Sequence, residues 1–201
     1  MGERVAQMQA THDRIVEAAI ELYTEVGISG TTMRRVGLRA GVAPGTLRRH
    51  VPTRRALDEA MVERLTREAP LPDLSLYDGA RAPEERVIRY VHATYRFIDQ
   101  AGRMYRMWLR EPMITSPWAE AGAAYGARWA ELQRLALGPL ADDEEVQAVF
   151  RAVLDVPFFD ALRGEGRRST DEASDLATEL VLAWLASRQP SSHRRDSTRQ
   201  G

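Results

Sequence analysis

The chain contains no cysteine, which excludes disulfides, thiolate zinc sites and a cysteine nucleophile together. Lysine is missing as well, so all 28 basic side chains are arginine, a bias that base composition of the coding DNA explains most simply. No apolar run approaches the roughly 20 residues that a bilayer-crossing helix needs, and the opening MGERVAQMQA lacks the apolar centre of a signal peptide. The expectation is a soluble cytoplasmic protein with no membrane partner. Imidazoles are scarce: His12, His50, His92 and His193 lie too far apart to suggest a local metal motif. No metal, cofactor or catalytic residue is expected on this ground.

What is present is a chain of 201 residues, 44% hydrophobic and 28% charged, with a net charge of −1, enough for one sizeable domain or two small ones. The near-neutral total conceals an uneven distribution. Between Val26 and Leu57 lie Arg34, Arg35, Arg39, Arg48, Arg49, Arg54 and Arg55 with no Asp or Glu, where even spreading would place about 4.6 acids. A one-signed surface of this kind suits a polyanion. The stretch from Ala69 to Pro83, APLPDLSLYDGARAP, has no sustained helical period and reads as a linker or loop. Residues 189–201 are polar and read as a disordered tail.

Elsewhere the period is helical. In the first segment Ile15, Ala18, Ala19, Leu22 and Val26 share a face, with Thr11 as the expected N-cap and Gly27 as the stop. A short helix follows from a cap at Thr31 or Thr32 to Arg39, then another from Pro44 that must end by His50 or Val51, because Pro52 disfavours helical geometry before it. A fourth helix begins at Thr53 and spaces Leu57, Met61 and Leu65 four apart. Further helices are expected near residues 83–101, 103–111, 117–138, 142–163 and 171–188, with Pro157 kinking or interrupting the fourth of these. The expected class is all-α: an N-terminal three-helix helix-turn-helix domain and a C-terminal helical bundle.

Two short helices joined by the tight turn AGVA have the dimensions of a helix-turn-helix. In that motif the second helix enters the major groove and presents its N-terminal residues to base edges. The groove-facing candidates are Pro44, Gly45, Thr46, Arg48 and Arg49. Arg34 and Arg35 sit in the first turn of one helix and Arg54 and Arg55 in the first turn of another, where the helix dipole disfavours cations. A phosphate at each of those helix starts gives four such arginines a reason.

At this point a family resemblance emerges. The run RIVEAAIELYTEVGISGTTMRRVGLRAGVAPGTLRRHV followed by PTRRAL resembles the N-terminal DNA-binding domain of the tetracycline-repressor (TetR) family, over roughly residues 9–69 with the motif at 32–51. Leu22, Tyr23 and Gly27 look like the end of the family's first helix, and His50 with Val51 resembles the His-Phe pair closing the recognition helix. The resemblance implies DNA contacts from Thr32, Arg34, Arg35, Pro44, Gly45, Thr46, Arg48, Arg49, His50, Thr53 and Arg54, the last standing where the family has a phosphate-contacting Lys. Three positions depart: Arg48 replaces a usual Tyr, Gly37 a usual Ala, and Ala43 a frequent Ser that caps the recognition helix. Arg48 and Arg49 also suit guanine, whose O6 and N7 accept a bidentate guanidinium.

Residues 70–188, where the resemblance fades, form the expected ligand-binding and dimerisation part. Eight of the chain's 14 aromatics fall between Tyr90 and Trp129. An aromatic stripe at helical spacing is ordinarily core; as a cavity lining it implicates His92, Tyr95, Met104, Met107, Trp108, Trp118, Tyr125 and Trp129, with Arg96 or Arg106 as further polar groups, and favours a small apolar or aromatic effector. In the family the last two helices pack against a two-fold mate. That implies a homodimer through residues 142–188, with Phe150, Leu154, Phe158, Leu176, Leu180 and Trp184 at the interface and a palindromic double-stranded DNA operator.

The reading is therefore a dimeric, DNA-binding transcriptional repressor released from its operator by a small-molecule effector. The alternative is a small-molecule binding or sequestering protein with a degenerate reading head. An enzyme is a poor third, because pairs such as Asp155 with Asp160, or His92 with Asp99, have nothing in their spacing to single them out.

Overall fold

The computed structural model describes residues 2–102, 107 and 116–188. Most of the helix expected near 103–111, with Met104, Arg106 and Trp108, lies outside the described residues, as does the expected tail at 189–201. Among the described residues all regular secondary structure is helical, with no strand.

Helix α1 spans Gly2–Gly30. It starts well before Thr11, which corrects the expected cap: the Thr11 hydroxyl donates to the Gln7 carbonyl four residues back, and the Gln9 amide donates to Asp13 one turn on. Both are local bonds that a helix accommodates, so the polar opening residues continue the helix. Gly27 does interrupt it, with φ 77° and ψ 176°, a backbone region that only glycine enters without strain. Val26, just before the break, is 37% exposed, although its spacing had put it on the apolar face. Ile15, Ala18, Ala19 and Leu22 are buried as their period requires.

Three helices follow: α2 over Met33–Ala40, α3 over Pro44–His50 and α4 over Arg54–Glu68. On α4, Leu57, Met61 and Leu65 are all buried. The Pro-rich connection contains one 3-10 turn, Leu74–Tyr77. Then come α5 over Pro83–Gln100 and α6 over Ser116–Leu137. The helix expected across 142–163 is two helices, α7 over Glu144–Val153 and α8 over Val156–Arg163. Pro157 causes the break: it falls in the first turn of α8, where its missing N–H is harmless, and Asp155 caps that turn by accepting from the Val156 N–H at 2.8 Å. Helix α9, Thr170–Arg188, closes the described chain.

Packing does not follow chain order. Among the described residues, one compact unit comprises those within 2–71 and 97–131, and the other those within 72–96 and 132–188. The first is centred on Ile15, Ala19, Ile20, Tyr23, Val36, Leu57 and Met61, joined by Phe97, Met107, Trp118 and Tyr125. The second buries Val87, Val91, Leu132, Val146, Phe150, Phe159 and Val181.

Candidate nucleic-acid interface

The α2-turn-α3 element is held by local chemistry. Thr32 is extended, and its Oγ1 accepts from the Arg35 N–H at 3.2 Å, capping α2. Gly41 ends α2 in the left-handed conformation, φ 65°, and lets the chain turn within three residues into Pro44, the first residue of α3. Ala43, in the N-cap position of α3, supplies no side-chain hydrogen bond. Gly37 is where the two helices meet: a Cβ there would stand 3.3 Å from Leu47 Cδ2. Val36, Ala40, Leu47 and Val51 face inward, which leaves Arg34, Pro44, Gly45, Arg48 and Arg49 exposed and Thr46 and His50 half-buried.

The seven arginines of the acid-free stretch have different fates. Arg39 is paired with Glu21 at 3.1 Å and Glu25 at 2.7 Å on α1, and its guanidinium holds the Glu25 carboxyl below the usual carboxylate range. Arg55 is paired with Glu59 at 2.7 Å. Arg35 donates to the Gly30 carbonyl at 2.6 Å. Arg54 faces the protein, donating to Asp58 and to the carbonyls of Thr31 and Ile28. Thr53 caps α4, its Oγ1 accepting from Ala56 N–H at 3.1 Å. Among the described residues Arg34, Arg48 and Arg49 make no ion pair. All three belong to α2 and α3.

Two grooves flank α3 and separate Arg48 from Arg49. The first, about 470 Å³, is lined by Met33, Arg34, Gly37, Leu38, Val42, Pro44, Leu47, Arg48, Val51 and Pro52. It brings Arg34 and Arg48 to one side and exposes Leu38 to 71%, an apolar side chain that the sequence reading did not single out. The second, about 490 Å³, lies against the start of α1 and contains Arg49, His12, His50 and Arg64 among its lining. There the His12 and His50 rings stand 6.2 Å apart. Burial, then His12, then Arg49 push the His50 imidazole below its ordinary pKa. Among the described residues no cluster of three or more His, Asp or Glu is placed to hold a metal ion. No helix there is long and apolar enough to cross a membrane.

Residues 15–61 match the family model for bacterial regulatory proteins of the tetR family. The match covers the N-terminal part of the chain, including the helix-turn-helix described above, which is similar to the DNA-binding part of that family. Over 87 residues the chain is 38% identical to an HTH-type transcriptional repressor, DrrR1, of Streptomyces coeruleorubidus, a match covering 43% of this chain. That match spans about a third of the repressor's own length, 32%. Its fold is that of a TetR-like transcriptional regulator from Rhodococcus sp. RHA1, with a TM-score of 0.58 at 18% identity over 88% of this chain and 96% of the other. It also matches the TetR-family regulator PfmR of Thermus thermophilus, with a TM-score of 0.59 at 20% identity over 85% and 94% of the two chains.

Beyond the helix-turn-helix, the aromatic residues singled out by composition fall in both packing units. Met107, Trp118, Tyr125 and Trp129 belong to the first. Trp118 is 1% exposed, and its indole Nε1 is buried without a hydrogen-bond partner among the described residues. Phe97 packs on Tyr125 and Trp129, with centroids 5.6 and 5.3 Å apart. His92 and Tyr95 belong to the second unit, and both have partners there. His92 Nε2 lies 3.2 Å from Asp175, and the buried Tyr95 hydroxyl donates to the Val153 carbonyl at 2.8 Å. Arg96 pairs with Asp171 at 3.1 Å.

The six residues expected at a dimer interface also divide. Phe150 is buried within its own unit, its ring stacked 6.3 Å from Tyr90. Leu180 is 52% exposed, and Leu154, Phe158, Leu176 and Trp184 are half-buried.

Proposed function

We propose that this chain is a DNA-binding transcriptional repressor that reads a palindromic operator as a homodimer. One observation carries the reading: of the seven arginines in the acid-free stretch, those left without an ion pair or a carbonyl partner are Arg34, Arg48 and Arg49, all on the helix-turn-helix. A charge without a protein partner on a reader helix is available to a phosphate or a guanine edge. Arg48, beside Arg34 and Pro44, is assigned to the groove, with Gly45 and Thr46 alongside. Arg49, on the other flank of α3, is assigned to backbone phosphate.

The reading assigns residues 9–69 to DNA binding and 70–188 to ligand binding and dimerisation. Dimerisation is assigned to the exposed parts of α7, α8 and α9, where Leu154, Phe158, Leu176, Leu180 and Trp184 still offer apolar surface to a two-fold mate. An apolar or aromatic effector is assigned to the group of Met107, Trp118, Tyr125 and Trp129, where the unused indole N–H can orient a ligand acceptor. Tyr95, whose hydroxyl already has a partner, and His92, whose Nε2 faces Asp175, take structural roles. For release, the effector must bind the operator-incompetent state more tightly than the competent one.

The experiment is a mobility shift on a duplex that the wild-type protein selects from a random-sequence pool, at two salt concentrations, with the full chain and with Leu180→Arg. Specific, salt-sensitive binding that weakens when the dimer face is charged supports the reading. Failure to select any sequence, beside tight binding of apolar dyes, moves the assignment to a sequestering protein.

A further inference from the structure

Resemblance assigns Arg54 to a phosphate, yet its guanidinium closes a polar cluster inside the reading head. Asp58, one helical turn further along α4, is 1% exposed. A carboxylate at that depth is tolerated only when its oxygens are hydrogen-bonded and a cation lies close. Both are supplied at Oδ1. The Tyr23 hydroxyl from α1 donates to Asp58 Oδ1, and Arg54 Nε donates to the same oxygen at 3.2 Å. Tyr23 is itself fully buried; burial first, and then the Asp58 carboxylate, push its hydroxyl pKa upward, so it remains a donor.

The rest of the guanidinium reaches a different element. Arg54 Nη1 donates to the Thr31 carbonyl at 2.9 Å and Nη2 to the Ile28 carbonyl at 3.3 Å. Those carbonyls belong to the segment after the Gly27 break, directly before Thr32, the cap of α2. The same segment is tied back to α1, where the buried Thr31 hydroxyl donates to the Gly27 carbonyl at 2.8 Å. The guanidinium also lies over the Tyr23 ring, 4.8 Å from its centroid. On its other side Tyr23 packs against Trp118 of α6, with centroids 6.4 Å apart. One planar cation thus joins the start of α4, the end of α1 and the entry to α2.

We infer that Arg54, Asp58 and Tyr23 are positioning residues for DNA recognition: they hold the entry to α2 at a set angle to α4 and so place α3 in the groove. This rests on the DNA-binding reading above. Only the fork of arginine serves this geometry, because a lysine ammonium is a single point and cannot span Asp58 and two carbonyls at once. A phosphate contact, by contrast, needs only the charge.

The test uses the full chain and the selected duplex, with affinity measured by fluorescence anisotropy over a salt series and corrected for the folded fraction. Arg54→Lys, which keeps the charge, is expected to lose at least tenfold in affinity while keeping the wild-type slope of log K against log salt. Tyr23→Phe, which changes no charge at a residue no DNA can touch, is expected to lose about fivefold with the slope again unchanged. As the reference, Arg34→Ala should reduce the slope by about 0.9 per head. Wild-type affinity in both Arg54→Lys and Tyr23→Phe overturns the inference, and so does a lower slope in Arg54→Gln that matches the Arg34→Ala change.

A second readout separates this idea from the DNA-binding reading. Hydrogen exchange across residues 28–50 should accelerate several-fold in Arg54→Lys and Tyr23→Phe, with α7 to α9 unchanged, whether or not any duplex is bound. Unchanged exchange in that segment overturns the inference even if DNA binding is confirmed. Faster exchange in a protein that selects no duplex supports the cluster and removes the DNA-binding reading instead.

Discussion

On the proposed reading as a dimeric DNA-binding protein, the distribution of ion pairs around α2 and α3 makes the salt dependence of binding a calculable quantity. Each head presents Arg34, Arg48 and Arg49 without acidic partners, whereas Arg39 is closed by Glu21 and Glu25 and Arg55 by Glu59. If each of the three neutralises one phosphate, a dimer releases counterions from about six, and log K should fall with log salt at a slope of about −5. Raising salt from roughly 50 to 200 mM should then weaken binding about a thousandfold or slightly more. Arg49→Ala should flatten the slope by about 1.8 for the two heads, and Arg39→Ala should leave it unchanged. The assay is fluorescence anisotropy at five or so salt concentrations with protein shown to be folded by circular dichroism. A wild-type slope near zero, or an Arg39→Ala effect equal to that of Arg49→Ala, would refute the division of the arginines by partner.

Three further outcomes are expected. Phe150→Ala should lower stability by about 3–5 kcal/mol in urea melts, because the ring is 1% exposed inside its own unit; an unchanged melt with a weakened dimer would place Phe150 at the interface instead. Thr53→Ala removes the oxygen that accepts from Ala56 N–H at 3.1 Å and should cost about 1 kcal/mol, read as a shift in the same midpoint; no shift would mean that the cap contributes nothing. His50, whose pKa is lowered by burial, His12 and Arg49, binds fewer protons folded than unfolded just below its ordinary value of about 6.5. Stability should therefore decline as pH falls through that value. His50→Gln should flatten that part of the thermal-melt profile, and an identical profile in the variant would exclude His50 as the cause.

The helices were legible because their signals are local. Period, caps and breakers placed α2, α3 and α4 nearly to the residue, with Thr32, Gly41, Pro44 and Thr53 all in the positions their chemistry favours. Pro157 announced the break between α7 and α8, although period alone ran through it. Thr11 misled for the opposite reason: a threonine before an apolar run suits a cap, but its hydroxyl equally satisfies a carbonyl one turn back within a continuing helix. Burial of Tyr95, Trp118 and Phe150 follows from apolar period, whereas the sharing of one unit by the described residues within 97–131 and 2–71 has no local signature. No spacing in the chain announces that Trp118 will meet Tyr23.

The acid-free stretch shows how a compositional signal can be right about a surface and still overstate it. Its seven arginines suggested a continuous cationic face, but the acids that temper it stand immediately outside: Glu21 and Glu25 before Val26, and Asp58 and Glu59 after Leu57. Each pairs with an arginine inside the stretch. Asp58 and Glu59 lie four residues after Arg54 and Arg55, a spacing that helical geometry alone brings together, so those pairs were in principle readable. Glu21 and Glu25 reach Arg39 only because α2 packs across α1, which no local rule provides. The acids cancel the charge of Arg39, Arg54 and Arg55 and leave that of Arg34 on α2 and of Arg48 and Arg49 on α3. A uniform cationic patch would bind any duplex by counterion release alone. On the proposed DNA-binding reading, leaving the unpaired charge on Arg34, Arg48 and Arg49 would make strong attraction depend on α3 entering the groove in register, the geometry assigned above to Arg54, Asp58 and Tyr23.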